Sequence, residues 1–302
     1  MDPRPRIDAI EALIQRDVGR GIGALFAAAR GGLWGAASAL AAAEVPKIGI
    51  LTGFYVPHGD PPAAETDGPA GAALLALGLT QAGVPCRVVT DDLCHGACVA
   101  ALRGAGVAAV RVDAAAPGAP VDGLIQSWRA LAITHVIAIE RCGVSADGRP
   151  RNMRGQDVGA HAAALDTLFS AGPWHAIAIG DGGNEVGMGS LPAGLIAESV
   201  AHGAAIACVT PADHLIVAGV SHWGAYALLA ALAVLRPDWR AGLLGGLDPA
   251  VDQAVVTAMV ADGPAVDGVT LRRTLTIDGL GMAAHGTMLE AVRAEAEHYG
   301  LR

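Results

Sequence analysis

The sequence has 302 residues, which is enough for one large α/β domain or two small ones. Hydrophobic residues make up 53% of it and charged residues only 16%, which predicts a large buried core and excludes an intrinsically disordered protein. The formal net charge is −9 and no basic run occurs, so no nucleic-acid partner is expected. Lys47 is the only lysine, so a phosphate loop of the G-x-x-x-x-G-K type is absent.

Residues 1–45 are predicted to form an N-terminal helical segment, with helices over 7–16 and 20–43. The second helix is long enough to cross a membrane, but it is rich in Ala and Gly, which insert weakly, and Arg30 lies within it. The acidic start of the chain is unlike a signal peptide. No membrane partner is therefore expected. The odd number of cysteines, without regular spacing, predicts a reducing, cytoplasmic location.

Short apolar runs alternate with helical stretches along the rest of the chain. Strands are predicted over 47–52, 85–90, 107–112, 134–139, 175–179, 205–209 and 273–277. Helices are predicted over 69–82, 93–104, 122–131, 157–170, 193–201, 222–236, 249–261 and 284–298. This alternation predicts an α/β fold with a mostly parallel sheet and helices on both faces, a Rossmann-like three-layer sandwich. No composition shift marks a boundary, so residues 1–302 are predicted to form a single domain.

Polar segments follow most of the predicted strands. In a parallel sheet the strands end at the same edge, and ligands bind in the crevice beyond these ends. The first strand is followed by "GFYVPHGD", and the strands ending at 139, 179, 209 and 277 are followed by "ERCG", "GDGGNE", "TPADH" and "DGLG". Acidic side chains far apart in the sequence are therefore expected to gather at one edge. Thr52 and Gly53, where the first strand ends, are expected to contact the substrate.

The most polar of these segments is "GDGGNE", which holds Asp181, Asn184 and Glu185. The dinucleotide fingerprint G-x-G-x-x-G would need glycine at position 185, where this chain has a carboxylate. Carboxylate and amide oxygens suit a hard divalent cation such as Mg²⁺ or Mn²⁺. The alternative is a turn in which Asp and Asn bond their own backbone. That reading explains one acid but not all three polar groups, so a functional role is favoured.

Two acids also occur in "AETDGP". Thr66 or Asp67 can cap the helix that follows, and Pro69 suits its first turn. Glu65 is not needed for capping and is a candidate for chemistry. The preceding loop, residues 53–62, is long enough to fold over the strand ends as a lid.

Arginines in "IERCG" and "RNMRG" are candidates for binding an anionic substrate. Arg141 directly follows a predicted buried strand and can clamp a carboxylate through two parallel hydrogen bonds. The alternative is an internal pair between Arg141 and Glu140. Arg154 is predicted to serve the same anion.

These motifs, taken in order, resemble the D-glutamate cyclase family over nearly the whole chain. The matching segments are "DVGRGI", "TGF…ETDGPAGA", "IERCG", "NMRG", "IGDGGNEVGMG", "VSHWGAYAL" and "VDGVT". The combination of GDGGNE-x-GMG with ETDGP is fairly specific, whereas each motif alone is weak.

The resemblance implies a lyase that converts D-glutamate to 5-oxo-D-proline and water, helped by Mn²⁺ or Mg²⁺. The substrate amine attacks its own γ-carboxyl carbon, so a base, an activated carboxylate and a bent, anchored substrate are needed. Asp181, Glu185, Glu65 and Glu140 are the expected catalytic residues, and Asp67, Asp181 and Glu185 the expected metal ligands. Arg141, Asn184 and Arg154 are expected to bind the substrate. The sequence does not separate the ligands from the base.

Two other functions remain open on the same residues. The site would also suit a metal-dependent hydrolase that opens a lactam, or a non-catalytic sensor of an acidic metabolite. The acidic, Ala-rich surface is compatible with a homodimer.

Overall fold

The computed structural model describes residues 2–298. Its strands are β1 (Ile48–Thr52), β2 (Tyr55–Val56), β3 (Ala63–Glu65), β4 (Cys86–Asp91), β5 (Val112–Ala115), β6 (His135–Ile139), β7 (His175–Gly180), β8 (His214–Val217), β9 (Ala265–Val266), β10 (Thr276–Ile277) and β11 (Leu280–Gly281). Its α-helices are α1 (Arg4–Ile14), α2 (Gly23–Ala28), α3 (Gly32–Ala42), α4 (Asp67–Gln81), α5 (His95–Gly104), α6 (Asp122–Ala130), α7 (Leu165–Ser170), α8 (Leu195–Ser199), α9 (Gly203–Ile206), α10 (Ser221–Leu235), α11 (Arg240–Gly245), α12 (Pro249–Ala261) and α13 (Met282–Glu297).

Six parallel strands form the central sheet in the order β5-β4-β1-β6-β7-β8. Ile50 of β1 pairs with Val88 of β4 on one side and with Ile137 of β6 on the other. Numbered along the chain, the strands of this sheet follow the doubly wound order 3-2-1-4-5-6. The chain therefore reverses its direction of winding between β1 and β6, where a crevice opens at the carboxyl ends of the strands.

Helices cover both faces of the sheet. On one face α3, α4, α5 and α10 lie on the sheet, and α1, α11, α12 and α13 pack against these helices. The buried side chains of this side form one apolar cluster with Ile50 and Ile137. The opposite face packs against α2 and α6 to α9, in a cluster that contains Trp128, Phe169 and Val136. This arrangement confirms the predicted α/β sandwich.

The helices α4 and α10 lie against each other in the first of these layers and are buried along nearly their whole length. Small residues let them approach closely, since a Cβ added at Gly78 would lie 2.7 Å from Cδ2 of Leu229. Both helices begin at the carboxyl edge of the sheet, at Asp67 and Ser221. Within residues 2–298, no helix is both long and apolar enough to cross a membrane.

Several predicted elements differ from the structure. The predicted strand 205–209 is wrong: residues 203–206 form α9, and the edge strand is β8 at 214–217. A short apolar run does not distinguish a strand from a buried helical turn, which explains the error. The predicted helix 20–43 is broken at Gly31, whose φ of +87° ends the first helical piece before α3 begins.

Further differences concern element bounds and sheet membership. The predicted strand 107–112 begins only at Val112 as β5. The predicted helix 157–170 is helical mainly as α7, and 193–201 mainly as α8. The predicted strand 273–277 contributes only β10, which pairs with β11 in an antiparallel hairpin outside the main sheet. A second small sheet, β2-β3-β9, also lies outside it.

Candidate active site

The turn after β7 is held together by the side chain of Glu185. Its Oε1 accepts hydrogen bonds from the backbone N–H groups of Asp181 (2.9 Å) and Gly182 (2.6 Å), and its Oε2 accepts one from Gly183 (2.7 Å). Gly183 has φ +109°, a conformation that favours glycine. Burial and the negative charge of Asp181 raise the pKa of Glu185 to about 7, although the N–H groups favour its ionised form. Both oxygens of Glu185 thus bond its own turn and fix the position of Asp181.

The N-terminus of α10 donates hydrogen bonds to three carboxylates. The backbone N–H of Ser221 donates to Oδ2 of Asp181 (2.8 Å), and the Ser221 hydroxyl donates to Oε2 of Glu140 (2.5 Å). The backbone N–H of His222 donates to Oδ1 of Asp67 (2.7 Å). The free N–H groups and the dipole of this 15-residue helix favour negative charge at this end. The N-terminus of α10 therefore holds together the three carboxylates that follow β3, β6 and β7, namely Asp67, Glu140 and Asp181.

Two further residues of this cluster, Asp278 and Arg20, were not predicted as site residues from the sequence. Asp278 lies at the tip of the β10–β11 hairpin, where positive φ at Asp278 (52°) and Gly279 (75°) fits a two-residue Asp-Gly turn. Arg20 lies between α1 and α2, and its guanidinium joins Asp181 to Asp278 at 2.7 Å from each. The segment "DGLG" was expected at this edge, but Arg20 was noted only within the family motif "DVGRGI".

A cavity of about 350 Å³ opens beside the cluster. It is lined by Gly19, Arg20, Phe54, Val56, Pro57, His58, Glu65, Glu140, Asn152, Met153, Arg154, Asp181, Asn184, Val200, Ala201, Gly268, Val269 and Asp278. The wall formed by residues 54–58 comes from the segment predicted to fold over the strand ends. Carboxylates lie at the inner wall, and two arginines, Arg20 and Arg154, face the same space. The cavity therefore suits a small, charged molecule with both acidic and basic groups.

Burial changes the acidity of the cluster. Burial, and next the charges of Asp278 and Asp181, raise the pKa of Glu65 well above its usual range. The same causes raise the pKa of Asp67 well above its usual range. Burial and the charge of Asp181 raise the pKa of Glu140 strongly, and that of Asp278 to about 8. The cluster is therefore expected to keep protons at neutral pH unless a cation balances its charges.

The cluster offers oxygen ligands for a hard divalent cation. Oxygen atoms of Asp67, Asp181 and Asp278 lie within 4.8 Å of one another. A second group, formed by Glu140, Asp181 and Glu185, meets the same limit. In the first group, Oδ2 of Asp67 and Oδ2 of Asp278 are buried and bond no other atom of residues 2–298, whereas both oxygens of Glu185 accept backbone N–H groups. The first group therefore fits Mg²⁺ or Mn²⁺ better than the second.

Arg141 does not reach the cavity. Its guanidinium is 1% exposed and pairs with both carboxylate oxygens of Asp91, at the end of β4. It also donates to the carbonyl oxygens of Gly53 (2.9 Å) and Ala163 (2.7 Å). Arg141 thus crosses the end of β1 to close an internal ion pair, with Asp91 rather than with Glu140. We therefore do not assign the substrate's carboxylate to Arg141.

The other expected substrate-binding residues divide into two groups. Arg154 and Asn184 line the cavity, and Nδ2 of Asn184 also donates to the carbonyl oxygen of Arg151 (2.9 Å). Thr52 and Gly53 lie at the end of β1 but are not among the lining residues. Thr52 is fully buried, and its Oγ1 bonds no other atom of the described chain.

A buried hydrogen-bonded network lies behind the cluster. Nε2 of His222 is 2.7 Å from Oδ1 of Asp252, and the hydroxyl group of Tyr226 donates to Oδ2 of the same aspartate. His222 is fully buried. No role was predicted for these residues from the sequence. They fix the first turns of α10, from which the hydrogen bonds to the cluster come.

The fold and the site together define an α/β protein with a doubly wound parallel sheet and a buried acidic cluster at its switch point. The family described as "D-glutamate cyclase-like, C-terminal" matches residues 10–293, and the chain belongs to this family. A curated relative, the human protein "D-glutamate cyclase, mitochondrial", is 33% identical over 248 residues. That match covers 76% of this chain and 39% of the human protein, so the matched segment spans about two fifths of that relative.

Proposed function

We propose that this protein is a D-glutamate cyclase, which converts D-glutamate to 5-oxo-D-proline and water. The observation that carries the proposal is the cavity beside the switch point, where buried carboxylates face two arginines in a member of this family. An amino acid with two carboxylates and one ammonium group presents the complementary charges.

The reaction forms one bond and breaks one. The substrate nitrogen bonds to the γ-carboxyl carbon, and one carboxyl oxygen leaves that carbon as water. The ammonium group gives up two protons in total, and the departing oxygen takes up two, so no oxidant or further reactant is needed. The site must therefore both accept and donate protons.

Glu65 and Glu140 are the best placed groups for these proton transfers. Both line the cavity, and burial raises the pKa of each, which strengthens each carboxylate as a proton acceptor. Oε1 of Glu65 bonds no other atom of residues 2–298, whereas Oε2 of Glu140 accepts the Ser221 hydroxyl. The free oxygen of Glu65 favours it as the group that takes a proton from the ammonium.

The substrate is held at both ends of the cavity. Arg154 lies on the exposed side, where its guanidinium can bind the α-carboxylate with two parallel hydrogen bonds. The γ-carboxylate then lies at the inner wall, where a bound divalent cation would offset its repulsion from Asp181 and the neighbouring acids. Asn184 lines the space between them. Holding the chain bent in this way brings the nitrogen close to the γ-carbon, which lowers the entropic cost of cyclisation.

A divalent cation, Mn²⁺ or Mg²⁺, would be held by Asp67, Asp181 and Asp278. Bound there, it would polarise the γ-carboxylate and stabilise negative charge on the departing oxygen. Glu185 would keep Asp181 in place through the turn rather than bind the ion. The cysteines, all unpaired in the described chain, support a reducing location such as the cytoplasm.

The proposal is tested by incubating the purified protein with D-glutamate and analysing the product by chiral chromatography. We expect 5-oxo-D-proline to form, to stop forming after treatment with a chelator, and to return with Mn²⁺ or Mg²⁺. L-Glutamate serves as the stereochemical control. If neither D-glutamate nor 5-oxo-D-proline is consumed with any divalent cation, the cyclase function is wrong.

A further inference from the structure

The segment that carries Arg20 is built to place its side chain over the acidic cluster. Oδ1 of Asp17 accepts the backbone N–H groups of Gly19 (2.9 Å) and Arg20 (2.8 Å), and Oδ2 accepts that of Gly21 (2.9 Å). Gly19 and Gly21 have φ values of +107° and +74°, which favour glycine. Nη1 of Arg20 also donates to the carbonyl oxygen of Gly219 (3.2 Å), in the loop before α10.

The guanidinium of Arg20 bonds two of the three carboxylates that fit a divalent cation. Nη1 is 2.7 Å from Oδ1 of Asp181, and Nη2 is 2.7 Å from Oδ1 of Asp278. The third carboxylate, Asp67, keeps one oxygen that has no hydrogen-bond partner among residues 2–298. Arg20 therefore supplies positive charge at the place where these acids converge.

We propose that Arg20 is a positioning residue that acts as a displaceable internal cation. Its guanidinium keeps Asp181 and Asp278 together before an ion binds, and a divalent cation competes with it for these two carboxylates. A metal ion and a guanidinium repel each other in a buried site, so both cannot bond the same oxygens at full strength. This inference rests on the cation of the proposed function.

The competition also links ion binding to substrate binding. The Arg20 side chain is 19% exposed and lines the cavity. Once an ion is bound by Asp181 and Asp278, the guanidinium of Arg20 is released toward the cavity. There a carboxylate of the substrate pairs with it in place of the two aspartates. The ion and the substrate are then expected to bind more tightly together than separately.

The test measures Mn²⁺ binding to the chelator-treated, substrate-free protein by isothermal titration calorimetry. Arg20→Gln removes the competing charge, so it is expected to bind Mn²⁺ about tenfold more tightly than the wild type. Without ions, the same variant is expected to have a lower Tm, because the carboxylates lose their counter-charge. Saturating Mn²⁺ is expected to raise its Tm more than that of the wild type. A purely structural Arg20 would lower the Tm without tightening ion binding.

Two further variants complete the test. Arg20→Lys keeps the charge but not the two-pronged geometry, so its Mn²⁺ affinity is expected to lie between those of Arg20→Gln and the wild type. It also replaces Arg20→Gln if that variant does not fold. Arg154→Gln removes a charge from the same cavity without touching the cluster, so it is expected to change Mn²⁺ affinity by less than about twofold.

Equal or weaker Mn²⁺ binding by the Arg20 variants would overturn the inference. Absence of Mn²⁺ binding by every protein, the wild type included, would overturn it as well. In either case the turnover of D-glutamate, measured separately, shows whether the cyclase function stands without it.

Discussion

At the scale of single residues, the position of a charged side chain relative to the sheet decides whether it forms an internal ion pair or faces the cavity. Arg141 and Arg154 are close in sequence, and both were predicted to bind an anion. The first is enclosed by Asp91 and two carbonyl oxygens, whereas the second faces the cavity. Of these two arginines, Arg154 is therefore the one proposed to bind the substrate.

The same substitution is therefore predicted to have different effects at the two positions: a loss of stability at Arg141 and weaker substrate binding at Arg154. Arg141→Gln leaves Asp91 buried without its counter-charge, so we expect a loss of about 3–5 kcal/mol in the free energy of unfolding. Arg154→Gln is expected to leave the free energy of unfolding unchanged and to raise the KM for D-glutamate. Urea unfolding and steady-state kinetics measure the two effects. A stable Arg141→Gln protein with weakened substrate binding would restore the carboxylate-binding role to Arg141.

At the scale of elements, the site depends on how closely α4 approaches the ends of β1 and β6. A Cβ added at Gly68 would lie 2.6 Å from Oγ1 of Thr52 and 2.9 Å from Cβ of Glu140. Glycine at this position therefore lets the first turn of α4, which begins with Asp67, lie against the switch point.

Gly68→Ala is accordingly expected to displace this turn, with a loss of about 1–3 kcal/mol in the free energy of unfolding and a lower kcat. The matched control is Gly123→Ala in α6, where an added Cβ meets no atom of the described chain within 4 Å. Equilibrium unfolding and turnover of the two variants provide the comparison. If Gly68→Ala is as stable and active as Gly123→Ala, the close approach has no importance for the site.

At the scale of the whole molecule, the acidic cluster couples stability to pH. The folded protein raises the pKa of Asp278 to about 8, so this carboxyl group binds its proton more tightly when folded than when unfolded. The proton on Asp278 therefore adds to the free energy of unfolding. This stabilisation is present in full below the unfolded pKa near 4 and is lost as the pH rises through about 8.

The metal-free protein is therefore expected to become less stable between about pH 5 and pH 8, with a fall in Tm on the order of 5 °C. Asp278→Asn is the control: its side chain does not titrate, so its Tm should fall less steeply over this range. Mn²⁺ should reduce the fall in the wild type, because the ion favours the ionised carboxylates. These changes can be followed by scanning calorimetry. A Tm that rises over this range, or equal slopes in the two proteins, would contradict the assignment.

The sequence by itself determined the α/β class, four of the six strands of the central sheet and the edge at which acids gather. These features depend on local patterns: apolar runs of strand length, helical periodicity, and the polar residues that directly follow a strand. For the same reason Glu65, Asp67, Glu140 and Asp181 were found before the fold was known. The apolar run at 205–209 shows the limit of such patterns, because only the packing of the layers decided that it is not a strand.

The tertiary structure alone decided how these residues are used. Arg141 pairs with Asp91 because β4, β1 and β6 are neighbours in the sheet. Local sequence patterns do not predict the order of strands in a sheet. Glu185 bonds its own turn, which depends on backbone angles that its sequence permits but does not dictate. Arg20 and Asp278 are 258 positions apart, and each lies outside the central sheet. They complete the site only because the N-terminal segment and the last hairpin pack over the same switch point.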